Sequence, residues 1–136
     1  RLGYCIARPE LIADMNRVKF SYSPYNVNSM TQAAGTAAIR DEAYFRDVTA
    51  KLLATRADTT EKLRQRGFTV FDSATNFLFA TTDRIPCREI FEKLRAQGIL
   101  IRHFNAPRIS NYLRITIGTD AEMQRFFTAL DEILAY

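Results

Sequence analysis

Leu113-Arg114-Ile115-Thr116-Ile117-Gly118-Thr119-Asp120-Ala121-Glu122-Met123 holds a strand, a stop and a helix start in immediate succession. Leu113, Ile115 and Ile117 alternate with Arg114 and Thr116, the period of a strand that buries one face and leaves the other open. Gly118 ends the alternation. Thr119 and Glu122 stand at capping-box spacing, in which the hydroxyl and the carboxylate each satisfy a backbone donor of the first helical turn. Met123, Phe126, Phe127, Leu130 and Leu134 then recur on one side of a closing helix.

Working back toward the N-terminus, Pro86 opens a helix that carries Ile90, Phe91 and Leu94 and stops at Gly98, and residues 99–102 read as a strand. Residues 68–71 and 77–80 read as two more strands. Residues 41–66 read as one long helix or two nearly continuous ones, with Phe45, Val48, Leu52 and Leu63 as its apolar positions and Gly67 as its stop. The stretch 55–60 is polar, which predicts a helix bridging two domains through solvent. Residues 27–40 are helical with a small-residue face, 21–26 form a loop, and a short helix runs from Pro9 through Leu11, Ile12, Met15 and Val18. The first residues, Leu2 to Ala7, read as a strand cut open at Arg1. The expected class is α/β, with a small sheet covered by helices on one face and a long helix before it.

Composition narrows the functional classes. The chain has 136 residues, one domain's worth, with 47% hydrophobic and 25% charged residues. No apolar run approaches the roughly 20 residues that span a bilayer, and no signal peptide is visible, so a cytoplasmic protein is expected. Net charge is +4, but 19 basic and 15 acidic residues are interleaved instead of clustered, against a nucleic-acid footprint. Cys5 and Cys87 have no metal-ligand or redox spacing, and no metal is expected. The glycines are scattered singly, which excludes the phosphate-cradling loops of nucleotide binders.

Arg114 is the leading candidate for chemistry, because alternation sets it on the face opposite Leu113, Ile115 and Ile117. Arg102 stands in the same relation to Ile99 and Ile101. If their strands are close in one sheet, two planar guanidinium forks converge on a patch suited to a carboxylate or phosphate. The alternative is a pair of solvated arginines on an open sheet face, and alternation leaves both open. His103 is the only histidine and lacks a placed carboxylate or nucleophile. Lys19, Lys51, Lys62 and Lys93 all fall on helical or helix-end segments, without a pocket that would lower a pKa for Schiff-base chemistry.

Arg1-Leu2-Gly3-Tyr4 resembles the end of the aminotransferase stretch S-K-x-x-x-x-A-G-L-R-x-G-Y. Pro9-Glu10-Leu11-Ile12, Pro24-Tyr25-Asn26-Val27-Asn28-Ser29, Gln32-Ala33-Ala34 and Thr75-Asn76-Phe77 resemble successive landmarks of the histidinol-phosphate aminotransferase branch of fold-type I pyridoxal-phosphate enzymes. So do Gly98-Ile99-Leu100-Ile101-Arg102 and Tyr112-Leu113-Arg114-Ile115-Thr116-Ile117-Gly118-Thr119. The resemblance covers essentially the whole chain. It implies pyridoxal 5'-phosphate as cofactor, with the Schiff-base lysine upstream of Arg1 and no catalytic residue in this chain, which alone would be inactive. It assigns Arg1 to the cofactor phosphate, Arg114 to the substrate's anionic end and Arg102 to a second contact with the substrate phosphate; His103 receives no role. Residues 1–40 would end the large cofactor-binding domain, 41–67 would connect, and 68–136 would form the small C-terminal domain. The substrates implied are histidinol phosphate and the glutamate/2-oxoglutarate pair, in a homodimer. Within the class, a threonine-phosphate decarboxylase or an aromatic aminotransferase, which share the arginine landmarks, is the alternative; from a different class, the alternative is a noncatalytic aminotransferase-like sensor domain.

Overall fold

A computed structural model describes residues 2–135, which divide into two compact units between Arg46 and Asp47. The first unit carries α1 (Pro9–Tyr22) and α2 (Ser29–Arg40). Pro9 opens α1, where its missing N–H costs nothing. The Asn28 side chain caps α2 by accepting from the Thr31 N–H at 2.8 Å. Neither helix has a buried residue, so Leu11, Met15 and Val18 of α1 lie in the open. Leu2 to Ala7 is not a strand, for a strand needs a neighbour to receive its backbone hydrogen bonds and none is paired with it among the described residues.

Helix α3 (Glu42–Gln65) begins in the first unit and ends in the second. The second unit then runs β1 (Thr69–Val70), β2 (Phe77–Thr81), α4 (Cys87–Ala96), β3 (Arg102–His103), β4 (Leu113–Thr116) and α5 (Asp120–Leu134). The sheet order is β1-β2-β4-β3 with every neighbouring pair antiparallel. Strands β2 and β3 are therefore parallel, joined through α4, and β4 is inserted between them.

Alternation works here as the sequence predicts. Leu78 and Ala80 of β2, with Leu113 and Ile115 of β4 and then Ile117, are buried against Ile90 and Leu94 of α4 and Met123, Phe126, Phe127 and Leu130 of α5. Leu63 brings the end of α3 into the same core. The helices cover that one face, and the residues between, Phe77, Phe79, Thr81, Arg114 and Thr116, make up the other. The capping box of α5 is formed in full by Thr119 and Glu122. Its close approach explains Gly118, where a Cβ would stand 2.7 Å from a Glu122 carboxylate oxygen.

Two further expectations need correction. The strand foreseen at residues 99–102 is confined to Arg102–His103, because the chain leaves α4 through a Schellman turn. Gly98, at φ +74°, donates to the Arg95 carbonyl, and Ile99 donates back to Leu94, so residue 99 still belongs to the helix end. Gly67 (φ +82°) closes α3 in the same way through Phe68 and Leu63. The polar middle of α3 is not a free solvent bridge either. Thr59 is fully buried and Thr55 donates to Asp120 of α5 at 2.8 Å, so this stretch rests on the second unit's own core.

The end of α3 is fastened to α5 by Arg66, which donates two hydrogen bonds to Asp131, at 2.6 and 2.8 Å, while its guanidinium lies over the Phe127 ring. Those hydrogen bonds hold the Asp131 carboxyl below its usual range. A depressed folded pKa means stability that is present above the unfolded Asp value and is lost as pH falls through the folded one. Asp131→Asn is therefore expected to cost about 1 kcal/mol or less near neutral pH, discounted because the carboxylate is half exposed. The difference from the parent chain should fade below about pH 4, where the unfolded carboxyl takes up its proton. Urea melts of both chains from pH 7 to pH 3 check this; a constant difference across that range would contradict it.

Candidate functional site

The open face of the sheet brings the two candidate arginines together. Arg102 of β3 is the direct register partner of Arg114 of β4, and Phe79 of β2 is Arg114's partner on the other side. Like charges set opposite each other across two strands repel and destabilise the pair. Resident carboxylates would relieve that repulsion, yet among the described residues neither arginine has an ion-pair partner. Arg114 is half-buried, and its Nε is buried without a hydrogen-bond partner. Such an orphaned donor ordinarily costs 1–3 kcal/mol in any protein. Two uncompensated guanidinium groups on register-paired residues of one face form a place where an anion lowers the energy.

Aromatic rings hold the patch. The Arg114 guanidinium lies over the Phe77 ring at 5.3 Å and that of Arg102 over Phe104 at 5.4 Å. Phe79 stacks on Tyr112, centroids 4.8 Å apart and 7° from parallel, and meets Phe104 edge-on at 6.1 Å. The backbone leading into β2 is pinned as well: the Ser73 hydroxyl donates to the Phe77 carbonyl at 2.6 Å, and Arg56 donates to the Thr75 carbonyl at 2.6 Å. After β3, Asn111 fixes the turn into β4. Its side-chain oxygen accepts from the Cys87 N–H at 2.9 Å and its amide donates to the Thr82 carbonyl at 3.1 Å. None of these aromatic or asparagine partners stood out in the sequence as a site residue.

His103 points to the helix side, where its ring stacks on Phe91 at 5.8 Å and its Nε2 is 2.7 Å from the Ser110 carbonyl. It has a structural use there. Lys19, Lys51, Lys62 and Lys93 all lie on helices. Lys51, Lys62 and Lys93 are ion-paired with Asp47, Asp58 and Glu89, and Lys19 lies over the Phe20 ring. None of the four is buried. Cys87 is fully buried at the start of α4, and burial raises its thiol pKa. Among the described residues no cluster of His, Cys, Asp or Glu could hold a metal ion, and no helix is long and apolar enough to cross a membrane. Arg1, the expected ligand of the cofactor phosphate, lies outside the described residues.

Comparison with known proteins gives this arrangement its setting. Residues 1–130 match the family of class I and II aminotransferases. The chain belongs to that family. Aminotransferases similar to it include histidinol-phosphate aminotransferase 2 of Rhizobium meliloti (strain 1021), 44% identical over 98% of this chain, and the histidinol-phosphate aminotransferase of Clostridium botulinum (strain Okra / Type B1), 40% identical over 98%. The aminotransferase chain spans only 38% of the length of either relative. Among solved structures, the histidinol-phosphate aminotransferase of Sinorhizobium meliloti in complex with pyridoxal-5'-phosphate is 31% identical. It aligns with a TM-score of 0.69 over 76% of this chain and 29% of that one. The Clostridium acetobutylicum enzyme of the same name aligns at 0.79 over 88% of this chain and 37% of that one, a likeness of fold at 21% identity.

Proposed function

We propose that this chain forms the C-terminal part of a pyridoxal-phosphate-dependent histidinol-phosphate aminotransferase, and that Arg114, with Arg102 beside it, holds the substrate's anionic end. The observation that carries the proposal is the register pair Arg102↔Arg114, two like charges opposed on an open face without a resident carboxylate. The names of the relatives at 44% and 40% identity supply the substrate class. One half-reaction would present a phosphate to the pair and the other the carboxylate of glutamate or 2-oxoglutarate. A planar fork accepts two oxygens of either group.

The domain reading follows: residues 1–40 as the end of the cofactor-binding domain, 41–67 as the connection, 68–136 as the small domain. It is supported by α1 and α2, whose exposed apolar residues suit a larger domain, and by the self-contained core of the second unit. A homodimer in the cytoplasm is proposed with it, as the family resemblance implies.

Pyridoxal phosphate, when bound, supplies an electron sink for the carbon that loses its proton. The chain's residues meet part of what that chemistry needs. Its lysines do not fit the lysine that carries the cofactor, since each sits on a helix and three are ion-paired. Arg1 is proposed for the cofactor phosphate and the catalytic lysine for the residues preceding it. What the arginine pair does is orientation: a substrate fixed at its anionic end aims the bond to be broken and loses less entropy on the way to reaction.

The test is an assay of the whole protein against the 136-residue chain. The whole protein should transfer an amino group from histidinol phosphate to 2-oxoglutarate, and the chain alone, given pyridoxal phosphate, should not turn over. Turnover by the chain alone would overturn the assignment of the catalytic lysine, and a whole protein inactive on histidinol phosphate would overturn the substrate.

A further inference from the structure

We infer that Phe77 is a positioning residue that fixes the direction of the Arg114 guanidinium without neutralising it. The inference rests on the reading of Arg114 as the anion anchor and names what makes that anchor rigid. An arginine that must receive an incoming anion cannot be oriented by a resident carboxylate, because the carboxylate would compete for the same N–H groups. An aromatic face avoids the conflict: its negative quadrupole attracts the flat cation from below and leaves the donor edge free.

The geometry meets this requirement at Phe77. Its ring centroid is 5.3 Å from the guanidinium carbon of Arg114. Register sets Phe77 opposite Thr116 and Phe79 opposite Arg114, so Phe77 is the diagonal neighbour of Arg114 on the same face, within reach of a long side chain. Among the described residues no hydrogen bond holds the Arg114 side chain, and its Nε is buried without a partner. Phe77 is itself held, since the Ser73 and Thr75 hydroxyls both donate to its carbonyl, at 2.6 and 3.2 Å. The ring thus projects from a pinned stretch of backbone beneath an otherwise untethered cation.

The experiment uses the whole pyridoxal-phosphate-loaded enzyme and inorganic phosphate as a competitive inhibitor. Phe77→Leu should raise the phosphate inhibition constant and KM for the phosphorylated substrate by about three- to thirtyfold, the range of a cation over an aromatic ring in a partly desolvated site. Phe77→Tyr should stay within about twofold of the parent. In an Arg114→Ala background Phe77→Leu should change neither constant by more than about twofold. A ring of unchanged shape removes any dependence on folding: with Phe77 replaced by mono-, di- and trifluorophenylalanine, the logarithm of the inhibition constant should climb steadily as fluorine weakens the ring's negative face. A flat fluorine series, or a Phe77→Leu effect equally large with and without Arg114, would overturn the inference while leaving the anchor in place. If Arg114→Ala alone leaves both constants unchanged, the anchor itself fails.

Discussion

Arg114→Ala in the whole enzyme should lower kcat/KM for histidinol phosphate by about 30- to 5000-fold, corresponding to roughly 2–5 kcal/mol of transition-state binding. The size follows from the setting. The guanidinium is half-buried and its Nε is shielded from water, so its attraction to an anion is weakened by solvent far less than that of a surface pair. Removing it also leaves Arg102 alone on the patch, without the planar second fork. Steady-state kinetics with histidinol phosphate check the effect, and a loss below about threefold would remove Arg114 from the role.

Leu63→Ala should destabilise the second unit by about 2–5 kcal/mol, the usual cost of emptying a fully buried leucine site. Leu63 has no exposed surface and is the residue through which the end of α3 enters the core. Its carbonyl also accepts from Phe68 at 3.1 Å, closing the turn at Gly67 that leads into β1. Relaxation is therefore restricted, since the residue is held at both ends of its local structure. Urea unfolding followed by far-ultraviolet circular dichroism should show a lower midpoint with an unchanged slope. A cost under about 1 kcal/mol would mean that α3 is not built into this core.

The elements whose local signals agree were legible in the sequence. In β4 and α5, alternation, a stop and a capping box all point to the same structure, and the structure follows them. Arg114 was legible for the same reason, because a period of two fixes its face once Ile115 is buried. The strand at Arg102 was misplaced along the chain, since the turn after Gly98 carries apolar Ile99 and Leu100 that mimic a strand start. Burial of Thr59 was hidden because a threonine in a polar run has no local mark of what will cover it. The role of Asn111 was equally hidden, as its partners Thr82 and Cys87 are distant in sequence. The aromatic platform could have been found. Phe77 and Phe79 alternate with buried Leu78 and Ala80 just as Arg114 alternates with its isoleucines, and two phenylalanines on an open face are a surplus that burial does not explain.

The central claim is that the open face of this small sheet receives the anionic group of the substrate on the Arg102 and Arg114 pair. A crystal structure of the whole enzyme with histidinol phosphate bound tests it most directly. The claim predicts the substrate phosphate within about 2.7–3.2 Å of Arg114 guanidinium nitrogens, with the Phe77 ring beneath them. A substrate phosphate held by other residues, with both guanidinium groups turned to solvent, would contradict it.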